Sequence, residues 1–308
     1  MENFFKKFGP VCIFVAAMLW ASDAPFRLHL TKDLSSELIV FGEHFFAILI
    51  ALPILFYNWA DVKKLSWQGW VSVLIVAICG SALASIAFTE AFRYVNPSVA
   101  ILLQKLQPLI AVFLAVTLLR ERLPRFFWLW AGLGIFGAYL ISFPKFVPQL
   151  YDGEVFNPNT IGVLLARTAA LFWGASTVLG KYALRTISFQ TMTALRFTLA
   201  FLFLFGMNAY RGTLGGIGLI SGTDWLYIFI IAMVSGIFSL FMYYKGLAYT
   251  KASVATIAEL GFPVAAVLVN LAFIPNSTIT FVQVQGMLLL LAAIFFLTRP
   301  EPETVPIS

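Results

Sequence analysis

Two stretches of the chain, 155 residues apart, repeat each other. Tyr94–Ala100 and Tyr249–Ala255 each combine a tyrosine, a short polar break and the triplet Ser-Val-Ala. A proline then follows ten residues after the serine, Pro108 in the first stretch and Pro263 in the second. Similarity at one constant offset indicates an internal duplication, and this period is far too long for a solenoid. The sequence therefore predicts two half-molecules.

Composition places both halves in a membrane. Of 308 residues, 61% are hydrophobic and 11% are charged, with a mean hydropathy of +0.92. A soluble domain is about 45–50% apolar and about 25% charged. Cys12 and Cys79 stand inside apolar runs, which is typical of small buried side chains rather than a disulfide or a metal site. The net charge of +6 is better explained by cytoplasmic loops than by nucleic-acid binding.

The apolar residues form ten segments, each near the roughly 20 residues that a membrane-spanning helix needs. The expected segments are 8–29, 35–57, 67–92, 97–119, 124–142, 159–183, 188–210, 223–247, 252–274 and 279–298. Five helices per half is an odd number, so the second copy must be inverted relative to the first. The predicted fold is an all-α integral membrane protein of ten transmembrane helices in two inverted five-helix repeats. The predicted parts are repeat one (1–143), a polar extracytoplasmic linker (144–158), repeat two (159–298) and a cytoplasmic tail (299–308).

Lysine and arginine predict the orientation. With the N-terminus inside, eleven of them fall at inner ends and loops, and five fall outside: Arg27, Lys32, Arg93, Lys145 and Arg211. Because positive charge concentrates on the cytoplasmic side, both termini are expected in the cytoplasm. We expect a multi-pass protein of the cytoplasmic (inner) membrane.

The order of several short motifs resembles the drug/metabolite transporter superfamily, in its EamA-like branch of ten-helix proteins. The matching residues are Trp20, Trp173, Ala91–Ser98 with its second-half counterpart, Pro108, Pro263, Leu118–Leu123 and Gly132. The resemblance implies export or exchange of a substrate across the cytoplasmic membrane without ATP hydrolysis. Family members often carry an arginine on the second helix of each repeat. Arg196 fits that place, but the first half has Glu43 there.

Ionisable side chains inside the apolar segments are the first candidates for a site. Each costs at least about 2.5–3.5 kcal/mol at a helix centre, so it is normally paired or faces a wet cavity. The candidates are Asp23, Glu43, His44, Glu90, Lys105, Arg167, Arg196, Lys245 and Glu259. Glu43 and Arg196 occupy equivalent repeat positions, 153 residues apart, as do Glu90 and Lys245, 155 apart. We expect these groups to line one central cavity for a charged or zwitterionic substrate, and Glu43 to pair with Arg196. The alternative is that they are static ion pairs or groups reaching the interface.

Glu259 stands four residues before Pro263, opposite Gln104 in the repeat alignment. The proline removes a hydrogen bond to the Glu259 carbonyl, which predicts a kink and a polar notch suited to a coupling proton. The alternative is a packing kink satisfied by a neighbouring hydroxyl. Trp20 and Trp173 are interpreted as cavity walls or as core filler. The small residues of helix five, Ala131, Gly134 and Ala138, favour a packing face for repeat assembly or a dimer contact. The predicted substrate-binding residues are Trp20, Asp23, Glu43, His44, Glu90, Gln104, Trp173, Arg196, Tyr243, Lys245 and Glu259.

These features predict a secondary transporter for a small metabolite that works by alternating access. Amino acids, their derivatives and organic cations remain open as substrates, with export or exchange as the direction and protons as a candidate coupling ion. Common zinc, nucleophile-elbow and phosphate-loop motifs are missing, so we predict no enzyme, cofactor or metal. The alternatives are an intramembrane enzyme with a carboxylate pair and a non-transporting scaffold. The expected partners are the substrate and membrane lipid, not nucleic acid, and the sequence leaves the oligomeric state open.

Overall fold

The computed structural model describes residues 2–95, 103–104, 106–143, 160–273 and 279–297. Regular structure in these ranges is helical. The α-helices of the first half are α1 (Glu2–Ala21), α2 (Ala24–Leu30), α3 (Ser36–Tyr57), α4 (Trp59–Val62), α5 (Trp67–Ile75), α6 (Ala84–Ala91), α7 (Gln107–Leu118) and α8 (Phe127–Ser142). Those of the second half are α9 (Thr160–Ala183), α10 (Phe189–Arg211), α11 (Gly222–Ile231), α12 (Ser239–Tyr249), α13 (Ala252–Ala258), α14 (Phe262–Phe273) and α15 (Phe281–Leu297). The predicted linker, the tail, Lys105 and the start of the Ser-Val-Ala helix in the first half lie outside the described residues.

Six helical stretches of the described chain are long and apolar enough to cross a membrane. They are Phe8–Leu30, Ser36–Tyr57, Trp67–Ala91, Ile161–Ala183, Phe189–Arg211 and Gly222–Tyr249. Four shorter apolar helices accompany them: Gln107–Leu118, Phe127–Ser142, Ala252–Ala265 and Phe281–Leu297. The described part of the chain thus has the helices expected of a multi-pass membrane protein. The expected first helix is interrupted near Ser22, where α1 ends and α2 begins with Pro25 in its first turn, a position that tolerates proline.

Serine side chains start four of these helices. Ser35, Ser66, Ser188 and Ser221 are N-caps whose hydroxyls accept from the backbone N–H three residues on. Such caps satisfy donors that the first turn leaves without partners. Ser188 follows Ser35 by 153 residues and Ser221 follows Ser66 by 155, so helices in the two halves start at corresponding positions.

Two helices contain a wider π-helical segment. Val76–Leu83 joins α5 to α6, and Ala232–Phe238 joins α11 to α12. The two segments occupy corresponding places in the halves, since Phe238 follows Leu83 by 155 residues. π-Helical turns are rare and often mark functional sites. Both segments contribute residues to the cavity described below.

Packing between the halves is reciprocal. The second long helices, α3 and α10, pack against each other, as do α8 and α15. In addition, α1 of the first half packs on α12 of the second, while α9 of the second packs on α6 of the first. The small-residue face of α8 lies against α15, where Gly134 approaches Ala293. This face therefore serves assembly of the two halves.

The contact between α8 and α15 is closest at two glycines. A Cβ added at Gly137 would lie 2.6 Å from the Gly286 carbonyl oxygen and 3.0 Å from Leu290 N. We expect Gly137→Ala to destabilise the protein by about 1–3 kcal/mol, because backbone atoms cannot move aside easily. Gly132 on the same helix has open space around it, so Gly132→Ala is expected to be neutral or to stabilise by about 1 kcal/mol. Unfolding in detergent measures both, and an equal effect at the two positions would contradict this packing.

Two carboxylates of the first half accept hydrogen bonds from the N-termini of helices in the second half. Asp61 accepts from Ser188 N and from the Thr191 hydroxyl at 2.7 Å each. Glu121 accepts from Ala252 N at 2.7 Å and from Ser253 N at 3.1 Å. Negative charge at a helix N-terminus is stabilised by the helix dipole and by unpaired N–H groups. Asp61 and Glu121 thus anchor α10 and α13 to the first half.

Asp61 gives this anchor a pH dependence. Partial burial raises the pKa of Asp61, but hydrogen bonds from Lys64 and the start of α10 outweigh it and bring this pKa from 3.8 to about 2. Because the folded-state pKa is the lower one, the stabilisation is complete above about pH 4 and is lost as the pH falls towards 2. We expect Asp61→Asn to cost about 1–2 kcal/mol at neutral pH and progressively less below pH 4. The exposed Asp33→Asn is the matched control, and a cost that is unchanged at pH 3 would contradict the assignment.

Candidate functional site

A central cavity of about 190 Å³ lies between the two halves. Nine of the eleven predicted binding residues line it: Trp20, Asp23, Glu43, His44, Gln104, Trp173, Arg196, Tyr243 and Glu259. Helices of both halves supply these side chains, and the two π-helical segments add Ser81, Ala232, Ser235 and Gly236. The cavity is therefore a chamber at the junction of the duplicated halves, with charged and polar side chains set in a largely apolar wall.

Glu90 and Lys245 are not among the residues that line this chamber. Glu90 accepts from the Ser36 hydroxyl at 2.8 Å and lies 3.1 Å from Arg93 Nε. The Lys245 Nζ lies 5.5 Å from the centre of the Phe189 ring. Of the other ionisable candidates, Arg167 is on the exposed face of α9 and Lys105 is outside the described residues. The repeat equivalence of Glu90 and Lys245 thus does not bring them to the cavity.

One end of the polar lining is a buried cluster around Arg27. Its Nη2 donates to Asp23 Oδ2 at 2.9 Å, and its Nη1 lies 2.9 Å from Glu43 Oε1. Nη1 also donates to the Thr89 hydroxyl at 2.9 Å. Arg27 is only 7% exposed. Two carboxyl groups around one guanidinium make a tightly bound, buried cluster.

This cluster corrects one prediction and adds a residue to the site. Arg27, which the sequence placed only in the outer group of cations, is buried on α2 between Asp23 and Glu43. The predicted pairing of Glu43 with Arg196 is wrong, since Arg27 is the partner of Glu43. The spacing of Asp23 and Arg27, four residues apart on one helix face, is the sequence signal that could have indicated this cluster.

Arg196 is bonded to neutral groups instead. Its Nη1 donates to the Tyr244 hydroxyl at 2.8 Å, and its Nη2 donates to the Gly80 carbonyl at 3.2 Å. The Nε donates to the Ser81 hydroxyl. Two of these acceptors, Gly80 and Ser81, belong to the π-helical segment Val76–Leu83. Gly80 O also accepts from Trp173 Nε1 at 3.0 Å, which fixes the Trp173 ring at the cavity wall.

A second cluster surrounds Glu259. Oε1 accepts from the Tyr243 hydroxyl at 2.9 Å and the Thr177 hydroxyl at 3.1 Å, while Oε2 accepts from Gln107 Nε2 at 2.5 Å. The residue is 9% exposed. Gln107 and Thr177 were not predicted as site residues, because uncharged polar side chains are common in such helices. The Glu259 carboxylate is therefore solvated by protein groups at the cavity wall.

The helix around Glu259 breaks as predicted, but its carbonyl is not free. After α13 the chain forms a 3₁₀ turn over Glu259–Gly261 before α14 begins. The Phe262 N–H donates to the Glu259 carbonyl in this turn. A tighter turn of this kind satisfies the carbonyl that Pro263 would leave without a partner. The polar notch thus comes from the carboxylate and not from a vacant backbone oxygen.

Aromatic rings form part of the remaining wall. The rings of Trp20 and Tyr243 are 5.2 Å apart between centroids, and those of Phe88 and Trp173 are 5.1 Å apart. All four residues line the cavity. Flat apolar faces beside fixed polar groups are the usual arrangement of a small-molecule site. The geometry therefore suits a ligand that combines an aromatic ring with polar substituents.

A membrane-embedded helical bundle whose central cavity holds charged and polar groups in a largely apolar wall is typical of solute-binding membrane proteins. The chain belongs to the EamA-like transporter family, which matches residues 7–143 and 160–299. It is 31% identical over 304 residues to "Riboflavin transporter ImpX" of Fusobacterium nucleatum subsp. nucleatum (strain ATCC 23726 / VPI 4351), covering 97% of this chain and 99% of the relative. A solved structure titled "Crystal structure of protein" shares the fold, with a TM-score of 0.69 at 17% identity over 93% of this chain and 94% of that one. The predicted family is confirmed, and the protein is a transporter rather than an enzyme.

Proposed function

We propose that this protein carries an uncharged, ring-containing metabolite of the flavin type, with riboflavin as the first candidate, across the cytoplasmic membrane. The observation that carries the proposal is the central cavity, which places aromatic faces beside two separate polar clusters. A flavin likewise combines an apolar and a polar part, namely a flat ring system and a polyhydroxylated side chain. The 31% identical relative named for riboflavin transport supports this choice.

The hydrogen bonds and ion pairs of the two arginines favour an uncharged substrate over the amino acids and organic ions that the sequence left open. Arg27 is engaged by two carboxylates, and each of the three Arg196 nitrogens donates to a protein oxygen. A substrate carboxylate would have to displace one of these bonds. Binding a neutral molecule leaves both networks intact.

We further propose ten membrane crossings in two inverted repeats and alternating access between them. Support comes from the four shorter apolar helices and the corresponding π-helical segments and serine caps. Reciprocal packing of α1 on α12 and of α9 on α6 is also what a two-fold relation would produce. The excess of lysine and arginine at the inner ends favours cytoplasmic termini. In this scheme the halves 1–143 and 159–298 exchange roles between inward-open and outward-open states, as in other inverted-repeat transporters.

Transport by purified protein in sealed liposomes tests this function. Vesicles containing the protein should take up riboflavin in a saturable manner and release preloaded riboflavin, while protein-free vesicles should do neither. Uptake and release, each measured with and without a pH gradient, distinguish export, exchange and proton coupling. Saturable movement of an amino acid or an organic cation, with no movement of riboflavin, would overturn the proposed substrate while leaving the transporter class in place.

A further inference from the structure

The imidazole of His44 is fixed in orientation by its own helix. Its Nδ1 lies 2.8 Å from the Val40 carbonyl oxygen, and the residue is 4% exposed. A carbonyl oxygen only accepts hydrogen bonds, so Nδ1 must carry the proton of this contact. The ring also packs edge-on against Phe197, with 5.6 Å between centroids. Position and tautomer are thus determined by neighbours on α3 and α10.

The other ring nitrogen of His44, Nε2, is buried and has no hydrogen-bond partner among the described residues. The residue is one of those that line the chamber. The chamber holds the guanidinium groups of Arg27 and Arg196 beside the carboxyl groups of Asp23, Glu43 and Glu259, and burial of the imidazole opposes a further charge on the ring. The ring is therefore neutral, and Nε2 presents a lone pair.

A second acceptor next to His44 is also incompletely bonded. Glu43 Oε1 lies 2.9 Å from Arg27 Nη1, but it receives no aligned hydrogen bond from the described residues. Buried polar atoms are normally satisfied by protein, water or ligand. The lone pair of Nε2 can only accept, so whatever satisfies it must bring a donor.

We propose that His44 is a specificity-determining residue whose Nε2 accepts a hydrogen bond from an N–H or O–H of the transported molecule. This inference rests on the proposed function for its ligand and deepens it. In a flavin the matching donor is either the ring imide N–H or a hydroxyl of the side chain. The carrier then selects for donors on its substrate, and ring compounds without the matching donor bind weakly.

The tautomer can be tested without any ligand. The chain contains two histidines, and the other, His29, is 47% exposed, so His29→Gln leaves a single imidazole. Nitrogen NMR of this variant, labelled at histidine, should show a protonated Nδ1 and an unprotonated Nε2 at neutral pH. A protonated Nε2, in either the neutral or the charged ring, would overturn the proposal.

Binding measurements then identify the donor. Riboflavin, 3-methylriboflavin (imide N–H blocked) and lumiflavin (side-chain hydroxyls absent) are titrated into the wild type, His44→Gln and His44→Leu. We expect His44→Leu to weaken riboflavin binding by about tenfold to a hundredfold. His44→Gln should lose less, because its amide oxygen can accept. The analogue without the matching donor should show a similar loss with the wild type but little further loss with His44→Leu.

The outcomes separate this inference from the proposed function. If both analogues bind the wild type as tightly as riboflavin does, the donor selection is wrong and the function stands. The same holds if the analogue penalty persists fully in His44→Leu. If the wild type binds none of the three compounds, the flavin proposal falls, and the donor selection by His44, which rests on it, falls with it. Melting temperatures of both His44 variants identify any loss that comes from misfolding.

Discussion

Glu259→Gln is expected to abolish accumulation of substrate against its gradient while exchange at equilibrium continues. The carboxylate is the ionisable group of the second polar cluster, and its oxygens accept from Tyr243, Thr177 and Gln107. A glutamine has nearly the same shape, and rotation of the Gln107 amide restores the hydrogen bonds. The substitution therefore removes the titratable proton without emptying the site. Proteoliposomes under an imposed pH gradient measure accumulation, and counterflow of labelled substrate measures exchange.

The matched control for this variant is Glu90→Gln. Glu90 is an intramembrane candidate of the same residue type, but it bonds Ser36 and Arg93 outside the cavity lining. It should keep gradient-driven accumulation. If Glu259→Gln also accumulates substrate, Glu259 is structural, and a coupling proton would have to be carried by another group such as Glu43.

Arg27→Met is expected to destabilise the protein by about 3–5 kcal/mol, the range for breaking a buried ion pair from one side. The change leaves Asp23 and Glu43 facing each other without their shared cation. Glu43→Gln alone should destabilise the protein much less, because Arg27 still forms its ion pair with Asp23. The double variant Arg27→Met/Glu43→Gln should recover part of the loss, since a neutral glutamine then replaces one of the two carboxylates that lost their cation. Unfolding in detergent measures all three.

Arg211→Met provides the comparison at an exposed ion pair. Arg211 lies 2.5 Å from Glu37, and its side chain is 55% exposed, so its removal is expected to cost at most about 1 kcal/mol. An Arg27→Met variant as stable as Arg211→Met would show that the cluster around Arg27 does not contribute to stability as its burial implies.

Glu121 shows how a motif can be recognised before its structural role is clear. The stretch Leu118–Leu123 contributed to the family resemblance, but its charges have no counterpart in the second half. In the structure the Glu121 carboxylate binds the N–H groups that start α13. The same carboxylate accepts from the Ser253 hydroxyl of the repeated Ser-Val-Ala triplet at 2.8 Å. A contact across more than a hundred residues of chain cannot be read from local spacing.

The sequence by itself determined the membrane class, the family, the duplication and nine of the residues that line the cavity. These properties depend on composition, on similarity at a constant offset and on the cost of placing charge in a bilayer. All of them can be read from the order of the residues alone. Glu43, His44, Arg196 and Glu259 could be singled out because each is polar in an apolar helix. The kink at Glu259 was equally local, since Pro263 cannot donate a hydrogen bond.

Only the tertiary structure decided which of these groups meet. Repeat symmetry suggested Glu43 with Arg196, but α2 turns Arg27 into the cavity, where it is the nearer cation to Glu43. Arg196 is then bonded by Tyr244 and the π-helical turn at Gly80. Pairing of buried charges depends on distances of a few ångströms between helices, and Coulomb energy in a low dielectric changes steeply over that range. Sequence periodicity assigns a side chain to a face of its helix, whereas its partner depends on how the helices pack.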